Sequence, residues 1–224
     1  MGCRAAAGQH ARVVGIKICG FTEVDDLEAA LDLEIDAFGV VLDPCPQQAS
    51  SAQVSRLLQV PRGRAIAVAV TGRTTPDAVR ATLALGFDWV QAVMTAADWS
   101  ALGPAACAFP VLFDGPDLEH EAEALRRAGA LGRRCPLGEL NVDGAAGGGN
   151  GVAPDHQRVA QVARSTRLML SGGLRAENVE AAIARVRPTS VDVSSFTEHS
   201  PGRKDVVRMT AFVQAVRAAT STRC

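Results

Sequence analysis

The chain has 224 residues, with 23 Lys+Arg against 24 Asp+Glu and a net charge of −1. Hydrophobic residues make up 47% and charged residues 21%, a globular composition at a length that buries a core without metal or disulfide support. Balanced charge argues against a nucleic-acid partner, which demands a basic face, and no apolar run approaches the ~20 residues of a membrane span.

Residues 1–11 lack the apolar stretch of a secretory signal and are expected to be a flexible N-terminal extension before one domain over residues 12–224. Six Cys at positions 3, 19, 45, 107, 135 and 224 form no CxxC pair. They are expected to be reduced thiols in a cytoplasm.

Short β-branched runs alternate with Ala/Leu/Arg stretches of helical period. The first strand is Val13 to Ile18, and Asp25 to Leu33 follows as a helix with Thr22 as its N-cap. Ala37 to Leu42 is the second strand, and Ser50 caps a helix over Ser51 to Gln59. Ala65 to Val70 is apolar throughout, as a strand covered on both faces should be. Thr75-Pro76 then opens a helix that Gly86 stops. Trp89 to Val93 and Val111 to Phe113 are strands, with helices at Ala96 to Leu102 and Leu118 to Ala128. Leu140 to Val142 is the sixth strand, ahead of a glycine-rich loop and a helix from Pro154 to Arg164. Leu168 to Leu170 and Ser190 to Val193 close the strand series, with helices over Ala176 to Val186 and Asp205 to Ala219.

Eight strand–helix units with no linker predict an α/β fold, a single (β/α)8 TIM barrel. An open parallel sheet is the alternative, since the fourth and fifth units are weakly marked. In a barrel the active site stands at the C-terminal ends of the strands. Two features there carry chemistry. Small-residue turns, Ser171-Gly172-Gly173 and Ser194-Ser195, follow the last two strands, where backbone N–H groups and helix N-termini can cradle a phosphate. Cys19 and Asp143 are each the first polar residue after a strand, a thiol and a carboxyl group suited to act as an acid/base pair. Read singly, Cys19 is a small buried hydrophobe, Asp143 a turn residue and each small-residue turn a plain connection. The four His show no metal-ligand spacing, and Gly147 to Gly151 reads as a loop over the barrel mouth, not a dinucleotide fingerprint.

Lys17-Ile18-Cys19-Gly20-Phe21-Thr22 resembles the KICGxT opening of the phosphoribosylanthranilate isomerase family. Asp143 followed by Gly148-Gly149-Asn150-Gly151 is similar to the family's Asp and GGTG segment, and Ser171-Gly172-Gly173-Leu174 with Glu177-Asn178-Val179 to its AGGLxxENV. Val191-Asp192-Val193-Ser194-Ser195, Glu198, Pro201-Gly202 and Lys204-Asp205 resemble the VDVSSGVE…PGxKD ending. The resemblance implies an Amadori rearrangement of a phosphorylated sugar amine, with Asp143 as general acid and Cys19 as general base, and with no cofactor or metal. Gly172, Gly173, Ser194, Ser195 and Asp192 are the expected substrate-binding residues, together with Gln47.

Gln47 stands where the family carries an Arg near the anthranilate carboxylate, and an amide lacks that charge and fork of donors. The family's QLHGDE is here Gln91-Ala92-Val93-Met94-Thr95-Ala96, and Phe196 replaces a glycine beside the phosphate turn. Two alternatives stay open: the same chemistry on a different phosphorylated N-glycoside, and a barrel that binds without catalysing.

Overall fold

The computed structural model describes residues 14–132, 135–144 and 151–221. The predicted extension over residues 1–11 lies outside them. Eight parallel strands close into a barrel in sequence order: β1 Gly15–Cys19, β2 Ala37–Val41, β3 Ile66–Arg73, β4 Trp89–Val93, β5 Ala108–Phe113, β6 Leu140–Asp143, β7 Leu168–Leu170 and β8 Ser190–Val193. Pairing of β1 with both β2 and β8 makes the closure. The helices between them are α1 Val24–Asp32, α2 Ser51–Gln59, α3 Pro76–Ala84, α4 Ala96–Leu102, α5 Leu118–Arg127, α6 His156–Ala163, α7 Val179–Val186 and α8 Val206–Ser221.

Alternation along the strands divides the apolar residues between two cores. Ile16, Ile18, Phe38, Val40, Ala67 and Val90 face outward and pack under the helices. Ala37, Ile66, Val68, Trp89, Phe109 and Met169 face inward and fill the barrel, with Cys135 and Leu137 among them. This inner plug leaves the C-terminal mouth to polar side chains.

Local signals fix most helix starts. Ser50 and Gln53 form a reciprocal capping box on α2, Thr75 caps α3 ahead of Pro76, and Thr95 with Asp98 caps α4. Thr22 does not cap α1: Glu23 holds that position with no side-chain bond, and the Thr22 hydroxyl donates to the Gly202 carbonyl at 2.6 Å. A partner 180 residues away wins over the local cap. α7 begins three residues later than predicted, because Asn178 Oδ1 accepts from the Arg175 N–H and its amide donates to the Gly173 carbonyl, holding a turn instead.

After β8 come a short 3-10 helix, Ser195–Thr197, and a small antiparallel hairpin of β9 Glu198–Ser200 and β10 Arg203–Lys204, which the sequence did not predict. Cys19, Cys45 and Cys135 are free thiols, but Cys107 is disulfide-bonded, against the expectation of reduced cysteines throughout. Among the described residues no helix is long and apolar enough to cross a membrane.

Candidate active site

A cavity of about 1090 Å³ opens at the C-terminal ends of the strands, and Cys19, Gln47, Asp143, Gly172, Asp192 and Ser194 all border it. Every predicted site residue therefore reaches one cup, with Gly173 and Ser195 on its wall as well.

The β1–β8 register builds its floor. Lys17 and Asp192 are direct partners across that pair, and the Lys17 ammonium meets Asp192 Oδ2 at 2.6 Å with both side chains buried. Burial alone favours the neutral amine, yet the Asp192 carboxylate and the Cys19 sulfur outweigh it and hold Lys17 above its ordinary value. Two residues along β1, the Cys19 thiol lies on the same inner face. Gly39 is its partner on β2, and a side chain there would put a Cβ 2.6 Å from Cys19 Sγ and 3.1 Å from Lys17 Nζ. Glycine at this position is what lets both groups occupy the mouth.

Burial pushes the Cys19 thiol up, against the pull of Lys17 toward the thiolate. Asp143 is also pushed up by burial, opposed by the Gly144 N–H that donates to its Oδ1 at 2.7 Å. The carboxyl group therefore retains a proton more readily than an exposed one, which suits a donor. The thiol is the resting form of Cys19, and Lys17 is the cation that makes its deprotonation accessible. Asp143 feels the charges of both Asp192 and Lys17, so these groups form one electrostatic unit.

The turn after β7 is tightly shaped. Gly172 and Gly173 have φ of +88° and +60°, and a Cβ on Gly172 would come 2.7 Å from Asp143 Oδ1. The glycines thus seat this turn against the acid as well as exposing backbone. Among the described residues, no acceptor meets the N–H groups of Gly173, Ser195 or Phe196. The Phe196 ring stands at the rim beside Gly151, with the Arg175 guanidinium 5.4 Å from its centroid. Gly148 to Asn150, from the glycine-rich loop, lie outside the described residues.

Sequence reasoning missed a second buried ion pair. Lys204 donates to Glu198 Oε1 at 2.7 Å and to the Cys19 carbonyl. Burial lowers its pKa against the pull of Glu198. The Ser194 hydroxyl donates to the same carbonyl at 3.0 Å, so the end of β1 is held from two sides. The Gln47 amide donates to Glu198 Oε1 and Oε2 at 2.7 and 2.9 Å and to Ser194 Oγ at 2.9 Å. Its nitrogen is thereby committed to the wall. Lys17 was missed as a functional group too, though its placement two residues before Cys19 on one strand marks it as inward-facing.

A closed parallel barrel whose mouth gathers a buried thiol, a carboxyl group and glycine turns defines an enzyme-type (β/α)8 scaffold. The family model of N-(5'-phosphoribosyl)anthranilate (PRA) isomerase matches residues 16–215. The chain is 38% identical to the N-(5'-phosphoribosyl)anthranilate isomerase of Roseiflexus castenholzii, covering 91% of this chain and 98% of that protein. It is 35% identical to the Ralstonia nicotianae enzyme of the same name, covering 91% and 93%. The crystal structure of phosphoribosyl anthranilate isomerase from Thermotoga maritima shares the fold, with a TM-score of 0.79 at 24% identity over 92% of this chain and 99% of that one. The chain belongs to the phosphoribosylanthranilate isomerase family.

Proposed function

We propose that this protein isomerises N-(5-phosphoribosyl)anthranilate to 1-(2-carboxyphenylamino)-1-deoxyribulose 5-phosphate, a step of tryptophan biosynthesis set in the cytoplasm. Asp143 protonates the furanose ring oxygen as the C1′–O bond breaks, leaving an open-chain Schiff base. The Cys19 thiolate removes the C2′ proton, and that electron pair neutralises the iminium as an enolamine. Tautomerisation moves a proton to C1′ and gives the ketose. Only protons move, so the substrate and product are isomers.

The observation that carries this reading is the convergence of Cys19 and Asp143 on one cavity whose floor is the Lys17–Asp192 pair. Acceptors and donors around them suit the rest of the substrate. Asp192 Oδ1 and Gln91 Oε1 are buried without a hydrogen-bond partner among the described residues, and both residues border the cavity, where sugar hydroxyls would donate to them. The N–H groups of Gly173 and Ser195, unmet by any acceptor among the described residues, are donors for the phosphate, with Gly172 and Ser194 shaping the turns that present them. Gln47 borders the cavity with its nitrogen already engaged.

Steady-state turnover of phosphoribosylanthranilate tests the proposal. Cys19→Ser and Asp143→Asn are each expected to lower kcat by about 10²–10⁴-fold while thermal unfolding stays near wild type. A wild-type rate no greater than that of either variant overturns it.

A further inference from the structure

We propose that Arg73 binds the aglycone carboxylate, the task that the family resemblance gives to the position of Gln47. This rests on the isomerase reading above. Among the described residues that border the cavity, Arg73 is the one that carries a cation, while Asp43, Asp114, Asp117 and Glu121 would repel a carboxylate. Arg73 forms no ion pair with any described residue, so its guanidinium fork is available to a ligand. Gln47 cannot take this role, because its amide nitrogen is already held by Glu198 and Ser194.

Topology puts Arg73 at the right end of the substrate. In a closed ring of eight strands, β3 and β4 stand opposite β7 and β8. A substrate with its phosphate at the Gly173 and Ser195 N–H groups and its sugar between Cys19 and Asp143 extends its far end toward β3. The backbone beneath Arg73 is built to hold it there. β3 continues beyond Val70 through a register shift, and Arg73 pairs with Val93 of β4. The Thr71 hydroxyl donates to the Gln91 carbonyl at 3.2 Å, and the Thr74 N–H to the Val93 carbonyl at 3.2 Å. The Gly72 N–H donates to the Asp43 carboxylate, and a Cβ on Gly72 would lie 2.5 Å from Asp43 Oδ2. Glycine at position 72 lets this clamp close, and Arg73 projects from a fixed strand end.

Titration calorimetry with two non-reacting probes separates this from a general effect on the site: 1-(2-carboxyphenylamino)-1-deoxyribitol 5-phosphate and its counterpart lacking the carboxylate. Arg73→Met is expected to weaken the carboxylated probe by about tenfold to a hundredfold and leave the other unchanged, with part of the loss recovered in Arg73→Lys. Equal weakening of both probes, or of neither, overturns the assignment while wild-type binding of both keeps the isomerase reading. If wild type binds neither probe, that reading fails and the Arg73 assignment with it.

Discussion

The two halves of the barrel interior are built from opposite materials. On the β3–β5 arc, Ile66, Val68, Trp89 and Phe109 form an apolar plug. On the β8–β1–β2 seam, the inward positions near the mouth include Lys17, Cys19, Gly39 and Asp192, and Lys204 with Glu198 lies buried behind them. Apolar burial stabilises at ~25 cal/mol per Å², whereas a buried ion pair roughly breaks even against hydrophobic residues of the same volume. The seam therefore has no stability reason to be charged. Its composition makes sense as chemistry: an ammonium beside the thiol, a carboxylate to hold that ammonium, and a glycine to leave room for both.

Two substitutions of similar cost separate these materials. Phe109→Ala empties part of the plug and is expected to lower unfolding stability by about 3–5 kcal/mol. Lys17→Met leaves Asp192 buried without its cation and is also expected to lose about 3–5 kcal/mol. Urea unfolding should not distinguish them, but kinetics should. The proposed mechanism requires Asp143 protonated and Cys19 deprotonated, so it predicts that kcat/KM rises with pH up to the Asp143 pKa, is level, and falls above the Cys19 pKa. Removing the Lys17 charge takes away the main group opposing the upward push on Cys19. The alkaline limb then moves to higher pH and the plateau drops. Folded Phe109→Ala keeps the wild-type profile. Matching profiles in the two variants would erase the distinction between plug and seam.

Gly39→Ala sharpens the comparison within the seam. Its Cβ would lie 2.6 Å from Cys19 Sγ, so the thiol must shift. Displacement of a reacting group by ~1 Å costs on the order of 10²-fold in rate, while overpacking costs about 1–3 kcal/mol of stability. A loss of kcat with KM retained is expected. An unaltered kcat would mean that the thiol's position is not what glycine protects.

Local signals and long-range pairings, present in both halves, differ in how far the sequence reveals them. β4, β7 and β8 have the bounds the sequence predicts, and β7 and β8 stop at the small-residue turns Ser171-Gly172 and Ser194-Ser195. Cys19 and Asp143 are legible as polar groups at strand ends, although the strands run one residue further than predicted and include them. The Lys17–Asp192 contact is not legible, since it depends on β1 meeting β8 in register across 175 residues. The hairpin of β9 and β10 carries too few residues for any period to register. Thr71-Gly72-Arg73 reads locally as a turn, and only the pairing of Arg73 with Val93 shows that β3 continues through it. Local chemistry was readable, and long-range pairing was not.

The smallest effect is expected at Gln47, where this chain departs from its family. An arginine introduced there meets Glu198, whose two oxygens now hold the Gln47 amide at 2.7 and 2.9 Å. A guanidinium paired with that carboxylate has fewer donors left for a ligand, and an ion pair at a partly exposed site contributes only about 0–1 kcal/mol. If Arg73 already holds the aglycone carboxylate, Gln47→Arg should change kcat/KM for phosphoribosylanthranilate by no more than about fivefold. A larger gain would place the missing carboxylate contact on the loop after β2. It would also show that the seam, and not the β3 edge beside it, selects the aglycone. Measured in the Arg73→Met background, the same substitution becomes more informative: rescue there would show that the two positions are interchangeable seats for one charge, and no rescue would show that only the fixed end of β3 presents it at the correct distance.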